Sequence, residues 1–275
     1  MKEEVCGPLS NKKYTCYSSE SLHKLKNLWN KRHPDSKISA TDDKKIWEAL
    51  RENMKKTCKS ESCWLQQNFA KHKLNNELLY YTFAPKAPNE WKKNINEWLS
   101  SVDIENVMKQ YEEKYPDFVF MGPSPIDFDA QKLYGECVWE ELCHFNLLDL
   151  LKQNKKRIGI VFNLDEHWKG GSHWVAMFID VRTKQICYFD SGGDDIPKEV
   201  ERLAHKIQHQ GKTIGLDFKL KKNHPFEHQM HDTECGIYCI YFIISMIENP
   251  NFKRFKDKRI TDKEMEKYRN VYFRV

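Results

Sequence analysis

Four residues that lie far apart in the sequence are of the types that thiol chemistry requires. Such chemistry needs a thiolate, a base that generates it, a group that orients the base, and hydrogen-bond donors for the oxyanion. We predict that Cys235 is the nucleophile and that His173 is its base. Asp190 is predicted to orient the histidine, and Gln229 is predicted to donate to the oxyanion. Each residue alone has a commoner structural explanation, so the prediction depends on their combination and order.

Cys235 opens a nearly unbroken apolar run over residues 235–247, which is too long for an ordinary strand. The run predicts a buried helix that begins at the cysteine. A helix N-terminus and a neighbouring imidazolium both favour a thiolate, whereas Cys239, one turn deeper, is predicted to lie in the core. Gln229 precedes Cys235 by six residues, from where its amide could donate beside the backbone N–H of the cysteine. Loss of one such donor typically lowers a rate about 100- to 1000-fold.

His173 and Asp190 stand at the ends of two predicted strands. His173 precedes a run rich in branched and aromatic residues at 174–181, and Asp190 follows a similar run at 185–189. The residues between these runs suit a hairpin connection, and antiparallel neighbours would bring the two side chains together. A carboxylate on one imidazole nitrogen fixes the tautomer and leaves the other nitrogen to face the thiol.

Before residue 151 the rest of the chain is predicted to be mainly helical, and from residue 157 onward strands are predicted together with further helices. Helical spacing or composition predicts helices over 18–33, after Asp42, after Ser100, within 138–151 and within 194–215, with a loop at 121–125. Further strands are predicted at 158–162 and 216–220, and Thr261 with Glu264 predicts the capped start of a last helix. Two prolines within 83–88 predict a boundary between a helical N-terminal arm, residues 1–85, and a core, residues 86–275.

Composition narrows the class of protein. The net charge of +5 comes from 45 basic and 40 acidic residues, so the surface is mixed, and contact with nucleic acid is only a minority alternative. No run approaches the roughly 18 apolar residues that a membrane helix needs, and the polar first thirty residues do not resemble a signal peptide. We therefore expect a cytosolic globular protein without a membrane partner.

The nine cysteines are an odd number in a chain without a secretory signal, so most are expected to be free thiols. A zinc site is the weaker alternative for the four cysteines before residue 64, because four-cysteine zinc sites favour closer pairs. These four are Cys6, Cys16, Cys58 and Cys63. No metal and no cofactor are predicted.

The motifs around the four candidate residues resemble the adenain and ubiquitin-like-protein (SUMO) protease clan of cysteine peptidases. These motifs are Gly-Ser-His-Trp at 171–174, Tyr-Phe-Asp-Ser at 188–191, and the segment 229–238 from the glutamine to Cys-Gly-Ile-Tyr. The order of His, Asp or Asn, Gln and Cys is also that of the clan. The resemblance implies an α/β (α+β) fold, in which helices flank a central mixed sheet, and substrate-binding roles for Trp98 and Trp174. In SUMO proteases a Trp-Leu pair similar to residues 98–99 covers the Gly-Gly tail of the substrate.

Other segments are similar to the viral members, especially the African swine fever virus protease and its relatives in large DNA viruses. They are Phe-Asn-Leu-Asp at 162–165, the C-terminal residues 259–262, 265, 269 and 273–274, and Cys-Lys-Ser-Glu-Ser-Cys at 58–63. This similarity implies cleavage of structural polyproteins after Gly-Gly during virion maturation. It also implies a location in the virion and in the cytoplasm of the infected cell.

Four alternatives remain open from the sequence. His224, His228, His231 and Cys235 could form a zinc site in an interaction protein, which would leave His173 and Asp190 without a role. An acyltransferase of the same clan would keep the four residues and change the acceptor. A non-catalytic binder of ubiquitin-like tails would not need all four. A SUMO or ubiquitin-like-protein isopeptidase would share the mechanism and differ only in its protein partner.

Overall fold

The computed structural model describes residues 4–11, 13–71, 73–74 and 80–274. Its contacts divide the chain into two compact units, residues 1–87 with 270–275 and residues 88–269. The last residues of the chain therefore belong to the first unit. No pattern in the sequence indicates that the C-terminal segment joins the N-terminal one. In the described part of the chain, no helix combines the length and the apolar character needed to cross a membrane.

The first unit is built on two amphipathic helices that the sequence predicts. They are α1 (Ser19–Arg32) and α2 (Asp43–Met54), accompanied by short 3-10 turns at Pro34–Ser36 and Ser62–Gln66. Both helices begin at residues whose side chains accept a backbone N–H of the first turn, Ser18 and Asp42. Their apolar faces are buried together, and the C-terminal Arg274 donates from Nε to the carbonyl of Ala84 at 3.0 Å.

The expectation of mostly free thiols is wrong for six of the nine cysteines. The structure pairs Cys6 with Cys16, Cys58 with Cys63, and Cys137 with Cys143 in disulfides. The free thiols among the described residues are Cys187, Cys235 and Cys239, all buried. Local chain reversals bring each pair together over 5 to 10 positions, a proximity that cysteine spacing alone does not reveal.

The second unit contains a five-stranded mixed sheet in the order β1-β2-β3-β4-β5. The strands are β1 (Phe118–Pro125), β2 (Arg157–Asn163), β3 (Trp174–Asp180), β4 (Gln185–Phe189) and β5 (Lys219–Lys222). The central pairs β2–β3 and β3–β4 are antiparallel, whereas the outer pairs are parallel. β2, β3 and β4 are almost wholly buried, as expected for strands covered on both faces.

Helices cover both faces of this sheet. They are α3 (Ser101–Lys114), α4 (Glu140–Cys143), α5 (Leu147–Lys152), α6 (Lys198–Thr213), α7 (Cys235–Glu248), α8 (Arg254–Asp257) and α9 (Asp262–Tyr272). The apolar side of α6 packs on Ile186 and Tyr188, and α7 packs against β3. The predicted capping box is confirmed at α9, where Thr261 and Glu264 exchange side-chain to backbone hydrogen bonds.

Three local predictions are wrong or displaced. Residues 121–125, predicted as a loop, form the end of β1, which is an edge strand with a register irregularity between Met121 and Ser124. An edge strand with a bulge tolerates proline, because the backbone N–H that proline lacks would there point away from the neighbouring strand. The predicted helix over 138–151 is split into α4 and α5, and β5 begins three residues later than the predicted run at 216–220.

Candidate active site

Cys235 is the first residue of α7 and is 2% exposed. The helix forms here because the run to Ile247 is apolar on every side and can be buried completely. Backbone N–H groups of a first helical turn have no partner within the helix, so they are available to an anionic group near the cysteine. Cys239 faces the interior, and burial raises the pKa of its thiol well above the ordinary value.

The antiparallel pairing of β3 with β4 brings His173 and Asp190 together. Ala176 lies opposite Phe189, so the histidine before β3 and the aspartate after β4 meet at the same end of these two inner strands. The distance from His173 Nε2 to Asp190 Oδ1 is 2.7 Å, and the backbone N–H of Gly192 donates to the same oxygen at 2.8 Å. Asp190 is fully buried, so the carboxylate faces the histidine with little competition from water.

His173 also interacts with Cys235, so the imidazole is near both a carboxylate and a thiol. Burial acts to lower the pKa of His173, but the interactions with Asp190 and Cys235 outweigh it and raise the pKa to about 10. The histidine is therefore an imidazolium at neutral pH, the form that stabilises a thiolate by charge and carries a proton for a leaving group.

Sequence reasoning missed Asn223, which holds the backbone of Asp190 from both sides. Its Oδ1 accepts from Asp190 N at 2.9 Å, and its Nδ2 donates to Asp190 O at 2.7 Å and to Phe226 O at 2.9 Å. Asn223 is fully buried directly after β5, so it fixes the turn that carries the aspartate. A single asparagine after a short strand carries no signal by which the sequence could have identified it.

Gln229 is oriented by Ser191, the residue after Asp190. Ser191 Oγ donates to Gln229 Oε1 at 2.7 Å, and Gln229 N donates to Ser191 O at 2.9 Å. The amide nitrogen donates to the carbonyl of His231, and an amide nitrogen carries a second hydrogen as well. The serine belongs to the Tyr-Phe-Asp-Ser motif, so the signal was present, although its role was not predicted.

Trp98 and Trp174 both line a cleft of about 710 Å³, as do Leu99 and Gly171. Trp174 Nε1 donates to the carbonyl of Leu99 at 3.1 Å, which ties the cleft wall to the strand that follows His173. Leu99 also lies against α7, since a Cβ added at Gly236 would lie 3.1 Å from the Leu99 Cβ.

The geometry disfavours the zinc alternative at the histidines near Cys235. His228 is fully buried, its Nε2 donates to Phe255 O at 2.9 Å, and its Nδ1 accepts from Ile260 N at 3.1 Å. Both ring nitrogens are thus committed to the backbone, and burial lowers the pKa of this histidine. His224 Nδ1 is bound to the carbonyl of Gly193 at 2.8 Å.

Known proteins are similar to this chain in sequence and architecture. Residues 153–274 match the Ulp1 protease family, C-terminal catalytic domain. The chain is 30% identical over 260 residues to a protein of African swine fever virus named as a SUMO-1 cysteine protease. The alignment covers 88% of this chain and 92% of the viral protein. The chain is 29% identical over 294 residues to a protein of Acanthamoeba polyphaga mimivirus assigned as a thiol protease, with coverage of 98% and 93%.

A crystal structure of the African swine fever virus protease has the same fold. It matches with a TM-score of 0.68 at 22% identity and covers 99% of this chain and 96% of that one. The likeness confirms the predicted α/β fold, with its mixed sheet and flanking helices.

Proposed function

Because the chain belongs to the Ulp1 protease family and is a cysteine protease, we propose that it hydrolyses protein precursors after Gly-Gly through a thioester on Cys235. The arrangement of His173 supports this proposal most directly. Its Nε2 lies 2.7 Å from Asp190 Oδ1, and interaction with Cys235 contributes to the raised pKa of the same ring. A buried thiol at a helix N-terminus, beside an imidazolium held by a carboxylate, suits nucleophilic catalysis.

In the proposed reaction the Cys235 thiolate attacks the carbonyl carbon of the second glycine. The resulting oxyanion accepts hydrogen bonds from the backbone N–H of Cys235 and from the Gln229 amide. His173 transfers its proton to the leaving amine as the carbon–nitrogen bond breaks, which leaves a thioester and a neutral imidazole. Water then attacks the thioester, its proton passes to His173, and release of the carboxylate restores the thiolate and the imidazolium.

The preference for Gly-Gly is proposed from the walls of the cleft. Trp98 and Trp174 line it from two different segments, and bulky indole rings favour an extended substrate with small side chains. The resemblance of residues 98–99 to the Trp-Leu pair of SUMO proteases supports the same preference.

Peptides that differ only around the scissile bond test this proposal. We expect a Gly-Gly-Xaa peptide to be cleaved after the second glycine and the matched Val-Val-Xaa peptide to be left intact. Cys235→Ala and His173→Ala proteins should be folded and inactive, whereas Cys239→Ala serves as a matched control because that thiol lies one turn away in the core. Cleavage of both peptides at the same rate, or activity without Cys235, would contradict the proposal.

An isopeptidase acting on ubiquitin-like proteins is the second candidate, because one relative is named as a SUMO-1 cysteine protease. A ubiquitin-like vinyl sulfone distinguishes the two functions. Rapid modification of Cys235 by this probe favours the isopeptidase, whereas peptide cleavage without modification favours a polyprotein protease.

We further propose that the substrate is a structural polyprotein of a large DNA virus, because the relatives described above are viral proteins. The protein would then act in the virion and in the cytoplasm of the infected cell. Mass spectrometry of purified particles tests this context, and absence of the protein from particles that contain the cleaved precursor would contradict it.

A further inference from the structure

A buried ion pair adjoins the nucleophile. Glu234 immediately precedes Cys235, Arg269 lies on α9, and each is 1% exposed. Arg269 Nε lies 3.0 Å and 2.9 Å from the two Glu234 carboxylate oxygens, and Nη2 lies 2.7 Å from Oε1. Two charges removed from water in this way are tolerated only with good geometry and further hydrogen bonds.

The same guanidinium also makes those further hydrogen bonds. Nη1 donates to the carbonyl of Glu97 at 2.8 Å, and Nη2 donates to the carbonyl of Thr233 at 3.1 Å. The guanidinium carbon lies 4.6 Å from the ring centroid of Trp91. Arg269 thus uses its planar fork to join the residue before the nucleophile to the residue before Trp98.

Trp98 lies between two residues whose positions are fixed. Glu97 is held through its carbonyl by Arg269, and Leu99 is held through its carbonyl by Trp174 at 3.1 Å. Trp98 itself is 39% exposed on the cleft, so its place depends largely on these neighbours.

We infer that Arg269 is a positioning residue that sets the distance between Trp98 and Cys235 and thereby the affinity of the cleft for its substrate. The inference rests on the cysteine-protease activity and on the proposed role of Trp98 in substrate binding. Arg269 contacts no reacting atom. It acts through Glu97 on the cleft wall and through Glu234 on the turn that carries the nucleophile.

The two connections can be tested separately by conservative substitutions. In Arg269→Lys a single ammonium keeps the charge beside Glu234 but cannot also reach Glu97. Glu234→Gln keeps the connection to Glu97 and removes the charge beside the nucleophile. We expect Arg269→Lys to raise KM about tenfold with kcat within about threefold, and Glu234→Gln to lower kcat about tenfold with KM within about twofold.

A double-mutant cycle with Trp98→Ala separates positioning from general destabilisation. If Arg269 acts through Trp98, Arg269→Lys should raise KM by less than about twofold in the Trp98→Ala background. Arg202→Lys is the matched control, because Arg202 pairs with Asp129 at 3.2 Å on the surface and should leave kcat and KM unchanged. Equal tenfold effects of Arg269→Lys with and without Trp98 would overturn the inference.

Hydrogen exchange tests the role of Arg269 without a substrate. It therefore distinguishes a failure of this inference from a failure of the proposed function, in which no Gly-Gly peptide would be cleaved. We expect Arg269→Lys to speed exchange about tenfold in a peptide covering residues 94–104 and to leave peptides from β2 to β4 unchanged. Unchanged exchange in residues 94–104, or a uniform increase throughout the second unit, would overturn it.

Discussion

Replacement of Asp190 by asparagine should move the alkaline limit of activity to lower pH. The substitution keeps an oxygen for His173 Nε2 and for the backbone N–H of Gly192, which lie 2.7 Å and 2.8 Å from Oδ1. It removes the negative charge that helps to raise the pKa of His173 to about 10. The fold should therefore be retained while the imidazolium is lost at a lower pH.

The expected size follows from the contact. A carboxylate in hydrogen-bond contact raises the pKa of an imidazole by about 1 to 3 pH units, which corresponds to about 1.4 to 4 kcal/mol of imidazolium stabilisation. The apparent pKa of the alkaline limb of kcat/KM should thus fall from about 10 in the wild type to between about 7 and 9 in Asp190→Asn.

The stability of the fold should depend on pH through the same histidine. The raised pKa of His173 means that its interactions stabilise the fold fully below pH 6.5, and this stabilisation is lost as the pH rises through about 10.

The assay is kcat/KM from pH 5 to 10.5, together with the rate of Cys235 alkylation over the same range. Asp194→Asn is the matched control, since it makes the same charge change at an exposed position of the same loop. An alkaline limb at the same pH in wild type and Asp190→Asn would refute the reasoning, as would an equal displacement in Asp194→Asn.

Three further predictions concern residues around the site and the first unit. Ser191→Ala removes the hydroxyl that orients the Gln229 amide, so kcat should fall about tenfold with KM within about twofold; an unchanged kcat would show that the amide needs no such anchor. Gly236→Ala places a Cβ about 3.1 Å from Leu99 and should raise KM several-fold in a protein whose melting temperature is nearly unchanged, and an unaltered KM would contradict this contact. Serine substitutions that remove the disulfide between residues 6 and 16 should lower the free energy of unfolding of the first unit by about 3 kcal/mol, because a loop of about ten residues is released. Denaturant titration measures this change, and an unchanged free energy of unfolding would contradict the prediction.

The sequence predicted well those features that depend on local patterns. β4 matches its predicted run, and α7 begins at Cys235 as expected. In both cases branched or apolar residues extend over the whole element, so burial and propensity favour the same structure. The proximity of His173 to Asp190 was predictable for the same reason, since two strands joined by a short hairpin have few alternative pairings.

The features that the sequence did not predict depend on contacts between distant segments. Asn223 and Arg269 contact residues more than thirty positions away, which a single sequence does not reveal. Asn223 binds the backbone of Asp190, and Arg269 binds the side chain of Glu234 and the carbonyl of Glu97. The three disulfides were missed because the odd number of cysteines indicated free thiols, whereas chain reversals bring the cysteines together. β1 was missed because its prolines indicate a loop unless the strand is known to lie at an edge.

Trapping of the acyl-enzyme tests the central claim most directly. The protein is mixed with a Gly-Gly ester, quenched in acid and digested, and the peptides are analysed by mass spectrometry. We predict a hydroxylamine-labile thioester on the peptide that contains Cys235, with none formed in His173→Ala. An adduct on Cys187 or Cys239, or undiminished acylation without His173, would contradict the account.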